Sequence, residues 1–356
     1  MKTMNDLGSV TISYLTGIYD NAIYVSNAKS NGLYKIENDK IVYLANFPKE
    51  KKDAVGLHGV SAVWNSEKWF FPNLGKHLHI YDEAQNTIVA YELWPWSMTN
   101  RSTTCKGVIE SDEDFILIPE DLHQDSLKID KRTKELRIDD TIKRLRAELS
   151  NDDIGFASVC DCVDSTLLYF RNSRIFFEIF KDGQIRRCDI GECGSIKSVC
   201  SYERHKYFIT SRGVYEKEKG IFTELVPFEK EYESSELINS ICASGKIFAL
   251  TSLKDEIAII DLATKSIHNK HISIDDCGIS DNVKISGWFH FWNMYLHKCD
   301  VVIAPVSSNK EVCINTDTLE LKYKNMICTE DISEKCSVVK SEQNILKEYI
   351  DMVKEM

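Results

Sequence analysis

Apolar residues in this chain recur in short runs of about four to six, and the runs come in sets. Residues 61–93 read SAVWNSEKWFFPNLGKHLHIYDEAQNTIVAYEL. Turn formers interrupt them at Asn65-Ser66-Glu67, at Pro72-Asn73-Leu74-Gly75 and across Asp82–Asn86. In His77-Leu78-His79-Ile80-Tyr81 polar and apolar positions nearly alternate, the period of a half-buried strand. The pattern predicts four antiparallel strands, A to D.

The set repeats. Aligned on the second strand, B, it begins near Ala22, Lys68, Phe115, Leu167, Tyr207, Ile247 and Val301, a spacing of about 40 to 54 residues. After each B run come a turn and a C run (HLHIYD, LKID, IFFEIF, GVYEK, IAIIDL, EVCIN), then a D run (TIVAYEL, ELRID, IRRCDI, FTELVPF, SIHNKHI, LELKYK). Asp, Asn, Gly and Lys residues, as in Asp182-Gly183 and Asp261–Lys265, separate C from D. One four-stranded sheet cannot bury both of its faces, whereas sheets stacked radially bury them against each other. This periodicity resembles the kelch-like or quinoprotein-like β-propeller superfamily, over roughly residues 9–327. The resemblance is architectural, because no repeated WD dipeptide or kelch diglycine is present. It implies an all-β, seven-bladed propeller of four-stranded antiparallel blades, with residues 9–16 (SVTISYLT) as the first inner strand.

Two stretches read as helices. Residues 139–151 put Ile142, Leu145 and Leu149 on one face, with Asp139 or Asp140 as N-cap. Residues 341–356 put Ile345, Tyr349 and Val353 on one face. The expected organisation is a propeller over residues 1–330 with a helical insertion at 139–151, then a tail and helix over 331–356.

Charge narrows the partners. Lys and Arg number 44 against 55 Asp and Glu, a net charge of −11. Such a balance argues against non-specific binding to nucleic acid or to anionic membranes. The sequence has no apolar leader near its start and no 18-residue apolar run, so a cytoplasmic protein without a membrane span is expected. The twelve cysteines are then expected to be reduced thiols. Cys160, Cys162, Cys200 and Cys242 fall at related inner-strand positions, where a thiol packs as a small hydrophobe.

Contiguous chemistry is scarce. The chain has no C-x-x-C, H-E-x-x-H, EF-hand or G-x-S-x-G pattern and no glycine-rich phosphate loop, so neither a metal nor a cofactor is expected. His77 and His79 share a strand face and read as plain outer sheet. Function is therefore sought on a face. Antiparallel order puts the B–C turns and the blade-to-blade D–A connections on one side of the ring. The D–A connections are long, at residues 48–59, 94–106, 139–155 and 228–239, and long loops on a rigid scaffold carry binding. That face is expected to gather His58, Trp94, Trp96, Arg101, His123, Arg171 and Arg212 around a polar or anionic ligand with a flat surface. The first expectation is a non-catalytic binding or scaffold module for an acidic peptide, a protein or a glycan. The second is a hydrolase or lyase, with or without a metal, acting on a sugar or sugar acid, with His58, Glu120, His123 and His290 as candidate groups.

Overall fold

The apolar runs become strands whose two faces are covered by neighbouring sheets. The computed structural model describes residues 14–19, 22–28, 30–38, 40–52, 54–94, 96, 104–149, 157–228, 237–251, 255–277, 291–305, 308 and 310–328. Blade 1 is β1 (Tyr14–Tyr19), β2 (Ile23–Asn27), β3 (Leu33–Glu37) and β4 (Lys40–Ala45). Blade 2 is β5 (His58–Trp64), β6 (Glu67–Pro72), β7 (His77–Asp82) and β8 (Thr87–Glu92). Blade 3 is β9 (Cys105–Glu110), β10 (Asp114–Pro119), β11 (Ser126–Asp130) and β12 (Leu136–Asp139). Blade 4 is β13 (Ala157–Asp161), β14 (Ser165–Phe170), β15 (Ile175–Phe180) and β16 (Ile185–Asp189). Blade 5 is β17 (Ile196–Tyr202), β18 (His205–Thr210), β19 (Gly213–Glu218) and β20 (Ile221–Pro227). Blade 6 is β21 (Leu237–Ala243), β22 (Lys246–Thr251), β23 (Glu256–Asp261) and β24 (Ser266–His271). Blade 7 is β25 (Phe291–His297), β26 (Asp300–Pro305), β27 (Lys310–Asn315) and β28 (Leu321–Asn325).

Within each blade the strands pair antiparallel in chain order, which makes the protein a seven-bladed β-propeller. The B and C strands read as nearly continuous apolar runs because both of their faces are buried between blades. Trp69, Phe71 and Leu78 of blade 2 interlock with Phe115, Leu117 and Leu127 of blade 3. Each such fully buried side chain contributes about 1.5–3 kcal/mol. The outer D strands mix exposed and half-buried positions.

Four C–D turns are the same device. Asp82, Asp130, Asp261 and Asn315 each accept, at Oδ1, hydrogen bonds from the backbone N–H groups two and three residues on. The residue four positions on, Asn86, Lys134, Lys265 or Leu319, then takes a positive φ of 52–63°.

The ring closes through the far end of the chain. β29 (Ile327–Cys328) adds to the outer edge of blade 1, parallel to β4, with Ile327 beside Lys40 and Cys328 beside Ile41. Blade 1 therefore has five strands and its exposed edge is covered. Ile23, Val25 and Tyr34 of blade 1 pack with Tyr295, Val302 and Ala304 of blade 7 and with Met326.

Two expectations shift. The described part of the first inner strand, Tyr14–Tyr19, runs three residues past the expected end at Thr16, with a register break between Tyr14 and Gly17. Residues 9–13 lie outside the described residues. Among the described residues the insertion forms one short helix, α1 (Thr141–Arg146). Asp140 is the N-cap, as expected, but its side chain makes no capping bond; Asp139 Oδ1, at the end of β12, accepts from Thr141 N–H instead. Beyond Ala147 the bonds tighten to i→i+3 spacing. Ile142 and Leu145 are buried as their spacing required, and Leu149 packs at the edge of the same cluster. A second short helix, α2 (Ile274–Cys277), follows blade 6. The helix expected at 341–356 lies outside the described residues.

Candidate functional site

One backbone feature recurs on the loop face. In six blades the pairing of inner strand A with strand B slips by one residue at the loop-face end. In five of them the extra residue is Gly59, Lys106, Lys197, Ile238 or Trp292. Bulges of this kind bend a strand and re-aim a side chain. Here they turn the inner strands at the mouth of the central channel. Two of the bulged residues are lysines. Lys106 Nζ lies 2.6 Å from Glu120 Oε1 of the same blade. Lys197 is buried and donates to Asn172 Oδ1 (3.0 Å) in the B–C turn of blade 4, next to Arg171. Lys106, Arg171 and Lys197 thus lie at the loop-face ends of strands in three consecutive blades, 3, 4 and 5. Hydroxyl pairs stitch the inner strands together: Thr16 with Ser61 (2.7 Å) and Ser198 with Ser240 (2.8 Å).

The residues singled out in the sequence take different places. Trp94 is 59% exposed on the loop face. Trp96, two residues on, is 2% exposed, and its Nε1 donates to Asp125 O, so it is a core residue that fastens this connection to the B–C turn of blade 3. That turn also holds His123, which is exposed and whose carbonyl accepts from Arg146 Nη1. Arg212 is half-exposed and donates to Glu192 O (2.7 Å), which draws it toward the 191–193 turn. Arg101 and His290 lie outside the described residues. Cys160, Cys200 and Cys242 share one register, opposite Leu167, Tyr207 and Ile247, and burial pushes their thiols up. For Cys160 the neighbouring Cys162 contributes most to that upward shift, ahead of burial. The ten cysteines whose side chains are described are free.

His58 is not at the surface but inside a buried relay. Its Nδ1 lies 2.8 Å from Ser26 Oγ, and its Nε2 lies 2.8 Å from His79 Nδ1. His79 Nε2 lies 2.9 Å from Pro48 O. A carbonyl can only accept, so His79 carries its proton on Nε2. His58 then donates from Nε2 to His79, and Ser26 donates to His58 Nδ1. Burial lowers both imidazoles, His79 to about 4, so the pair is neutral at neutral pH. The rings pack on Phe47, at 4.4 and 5.0 Å between centroids.

Beside this relay, Glu50, His77 and His79 offer ligand atoms within 4.8 Å of one another. Glu50 Oε1 accepts from the N–H groups of Lys76 and His77 and lies 2.8 Å from His77 Nδ1. Gly75 makes room for this: a Cβ there would meet Leu57 O at 2.9 Å and Glu50 Oε1 at 3.5 Å. Buried Asn31 fixes the connection that carries Glu50, bonding Phe47 N–H through Oδ1 and the carbonyls of Phe47, Glu50 and Lys51 through Nδ2. The sequence held a signal for this cluster in His77-x-His79. The third member, Glu50, lies 27 residues before His77 in a loop and leaves no motif.

Between blades 3 and 4 lies a groove of about 530 Å³ that includes Glu110, Lys131, Asp161 and Arg144. Asp161 opens onto it and onto a smaller cavity at the channel. Enough protein surrounds its carboxyl, with Glu110 nearby, to raise it above the usual carboxylate range. Glu110 itself is tied to Lys131 Nζ at 2.6 Å.

No protein-family model matches this sequence, and no curated protein matches it. Solved structures do resemble it in shape. Virginiamycin B lyase from Staphylococcus aureus shares 13% identity over 85% of this chain and 94% of that one, with a TM-score of 0.61. A streptogramin B lyase shares 10% identity over 86% and 93%, with a TM-score of 0.58. Hsv2 from Kluyvelomyces marxianus shares 8% identity over 88% and 97%, with a TM-score of 0.50. At such identities the likeness is one of fold, and what it shows is the β-propeller.

Proposed function

We propose that the loop face is a recognition surface for a polar or anionic partner with a flat surface, such as an acidic peptide segment or a glycan, and that the propeller serves as a cytoplasmic binding or scaffold module. The observation that carries this reading is the repeated bulge, which brings Lys106 and Lys197 to equivalent positions at the channel mouth on either side of Arg171. Both are cations on a chain of net charge −11, Lys106 paired with Glu120 and Lys197 buried against Asn172. Exposed Trp94 on the same face offers a stacking plane for a sugar ring or a planar side chain. The test uses immobilised acidic peptides and carboxylated or sulfated glycans. The wild-type protein retains one of these classes, with affinity falling as salt rises. A Lys106→Ser/Arg171→Ser variant loses retention at an unchanged melting temperature. Equal retention by the variant refutes the reading.

A second reading, a hydrolase or lyase for a sugar-like substrate, rests on Asp161 and Glu110. Two carboxyls facing one cavity, one raised and one held by a lysine, have the divergent environments that acid–base chemistry uses. Turnover of a uronic-acid or glycoside substrate that Asp161→Asn abolishes would favour this reading over the first.

A further inference from the structure

The cluster at the junction of blades 1 and 2 has a composition the mouth lacks. Two imidazoles and a carboxylate converge, one from the loop after blade 1 and two from the first half of β7. Imidazole nitrogen and carboxylate oxygen are the ligands of zinc-type ions, and a set of three leaves a position open. We propose that Glu50, His77 and His79 form a three-ligand site for a divalent transition-metal ion of the zinc class. The site stands independently of the reading given for the mouth.

Three features support it beyond the convergence. First, the ligands sit on fixed elements. His77 and His79 lie two apart on one strand and so face one side, Asn31 fixes the connection that carries Glu50, and the Lys76 and His77 N–H groups hold the Glu50 carboxylate against that strand. Second, the cluster is reachable yet sheltered: the side chains of His77 and Glu50 are 14% and 8% exposed, while His79 is buried behind them. Third, an outer support is already built. A metal-bound histidine ordinarily donates its second N–H to a partner that fixes the ring. Here His79 Nδ1 already faces His58 Nε2, and His58 Nδ1 faces Ser26 Oγ.

Metal binding would replace hydrogen bonds in a definite way. His79 would exchange its Nε2–H bond to Pro48 O for the metal and carry its proton on Nδ1, donating to His58. His58 would in turn donate from Nδ1 to Ser26, which can accept as readily as donate. Each ring changes tautomer and none changes charge. The 2.8 Å contact between His77 Nδ1 and Glu50 Oε1 would open by about half an ångström. Ligand atoms about 2.0–2.2 Å from zinc stand roughly 3.4 Å apart at the tetrahedral angle.

The experiment titrates the chelator-stripped full chain with Zn²⁺ by calorimetry and with Co²⁺ by visible absorption. The expected result is one ion per chain, a Zn²⁺-dependent rise in melting temperature and a Co²⁺ spectrum of low coordination number. His77→Ala and Glu50→Gln each weaken binding by more than the roughly 10–100-fold that loss of an outer partner alone costs. Glu50→Gln keeps an oxygen for the Lys76 and His77 N–H groups, so it preserves the loop and decides the matter even where His77→Ala does not fold. The absence of saturable one-to-one binding by the wild type, or an unchanged affinity in Glu50→Gln, overturns the proposal.

Discussion

Glu178 sits where blades 4 and 5 meet, and its removal tests how that joint is held. Its two oxygens each take one ammonium: Lys206 Nζ at 2.7 Å from Oε1 and Lys217 Nζ at 2.7 Å from Oε2. The side chains are 3%, 8% and 8% exposed. Lys206 also donates to Ser165 Oγ and reaches Asp164, so all three of its protons are used. Lys206 and Lys217 lie directly opposite each other on β18 and β19, and like charges so placed repel. Glu178→Gln leaves Lys217 buried without its anion and Lys206 with Asp164 alone. Breaking a buried pair in this way costs about 3–5 kcal/mol. For a propeller of this size that is a fall in melting temperature of roughly 4–7 °C. Replacing the whole cluster, as Glu178→Leu with Lys206→Met and Lys217→Met, restores most of the loss, because desolvation then has no charge to penalise. Burial by itself would raise Glu178, but the two ammoniums outweigh it and hold the carboxyl below its usual range. Its contribution is therefore present above the ordinary carboxylate range and lost as pH falls through the lowered value, and Glu178→Gln lacks that acid limb. Urea and thermal unfolding of the three proteins at pH 7 and at lower pH measure this. A loss below about 1 kcal/mol in Glu178→Gln, the scale of an exposed pair, refutes the reasoning.

Three further outcomes follow from the geometry. Gly107→Ala would put a Cβ 2.2 Å from Val159 Cγ2 of the neighbouring inner strand; it costs about 1–3 kcal/mol in urea unfolding, and adding Val159→Ala recovers part of it. Asp161, raised in the folded state, makes the protein lose stability as pH rises through its range, so Asp161→Asn raises the neutral-pH melting temperature and flattens that dependence; a lower melting temperature contradicts the assigned direction. Trp96→Ala costs about 3–5 kcal/mol as a buried aromatic. Trp94→Ala changes stability by less than about 0.5 kcal/mol, and equal effects of the two would refute the division between core and surface.

The architecture was legible because burial on both faces forces apolar B and C strands, and seven of these in phase leave few topologies. Ile142 and Leu145 were legible for the same reason. The ring closure was not, since β29 is two residues long and its contribution is backbone pairing to β4 rather than a side-chain pattern. The bulges were invisible because a slip of one residue does not disturb the apolar period on either side of it. His58 and Trp96 show the limit for sites: loop or strand-end position in the sequence says which face a residue starts from, not whether a Phe47 or an Asp125 carbonyl waits to cover it.

The repeat itself says where to look for function. The same slip at the same end of the inner strand occurs in six blades, in five of them at glycine, lysine, isoleucine or tryptophan, so the bend is a property of the fold and not of any one side chain. What the blades hold in common serves the ring; what one blade has alone is free to serve something else. Two departures meet that criterion. Lys106 and Lys197 bring charge to a position that elsewhere is uncharged, in the blades that flank Arg171. Blade 2 alone carries His-x-His at the start of its C strand; His79 pairs with Phe70, and the residues in the equivalent pairing position of blades 1, 3 and 7 are Tyr34, Leu127 and Val312. A buried histidine there costs desolvation that an apolar residue would not. His79 has that cost offset only because Pro48 O and His58 take both of its nitrogens. A fold that needed only packing at this position would have kept a Tyr, Leu or Val, as blades 1, 3 and 7 do.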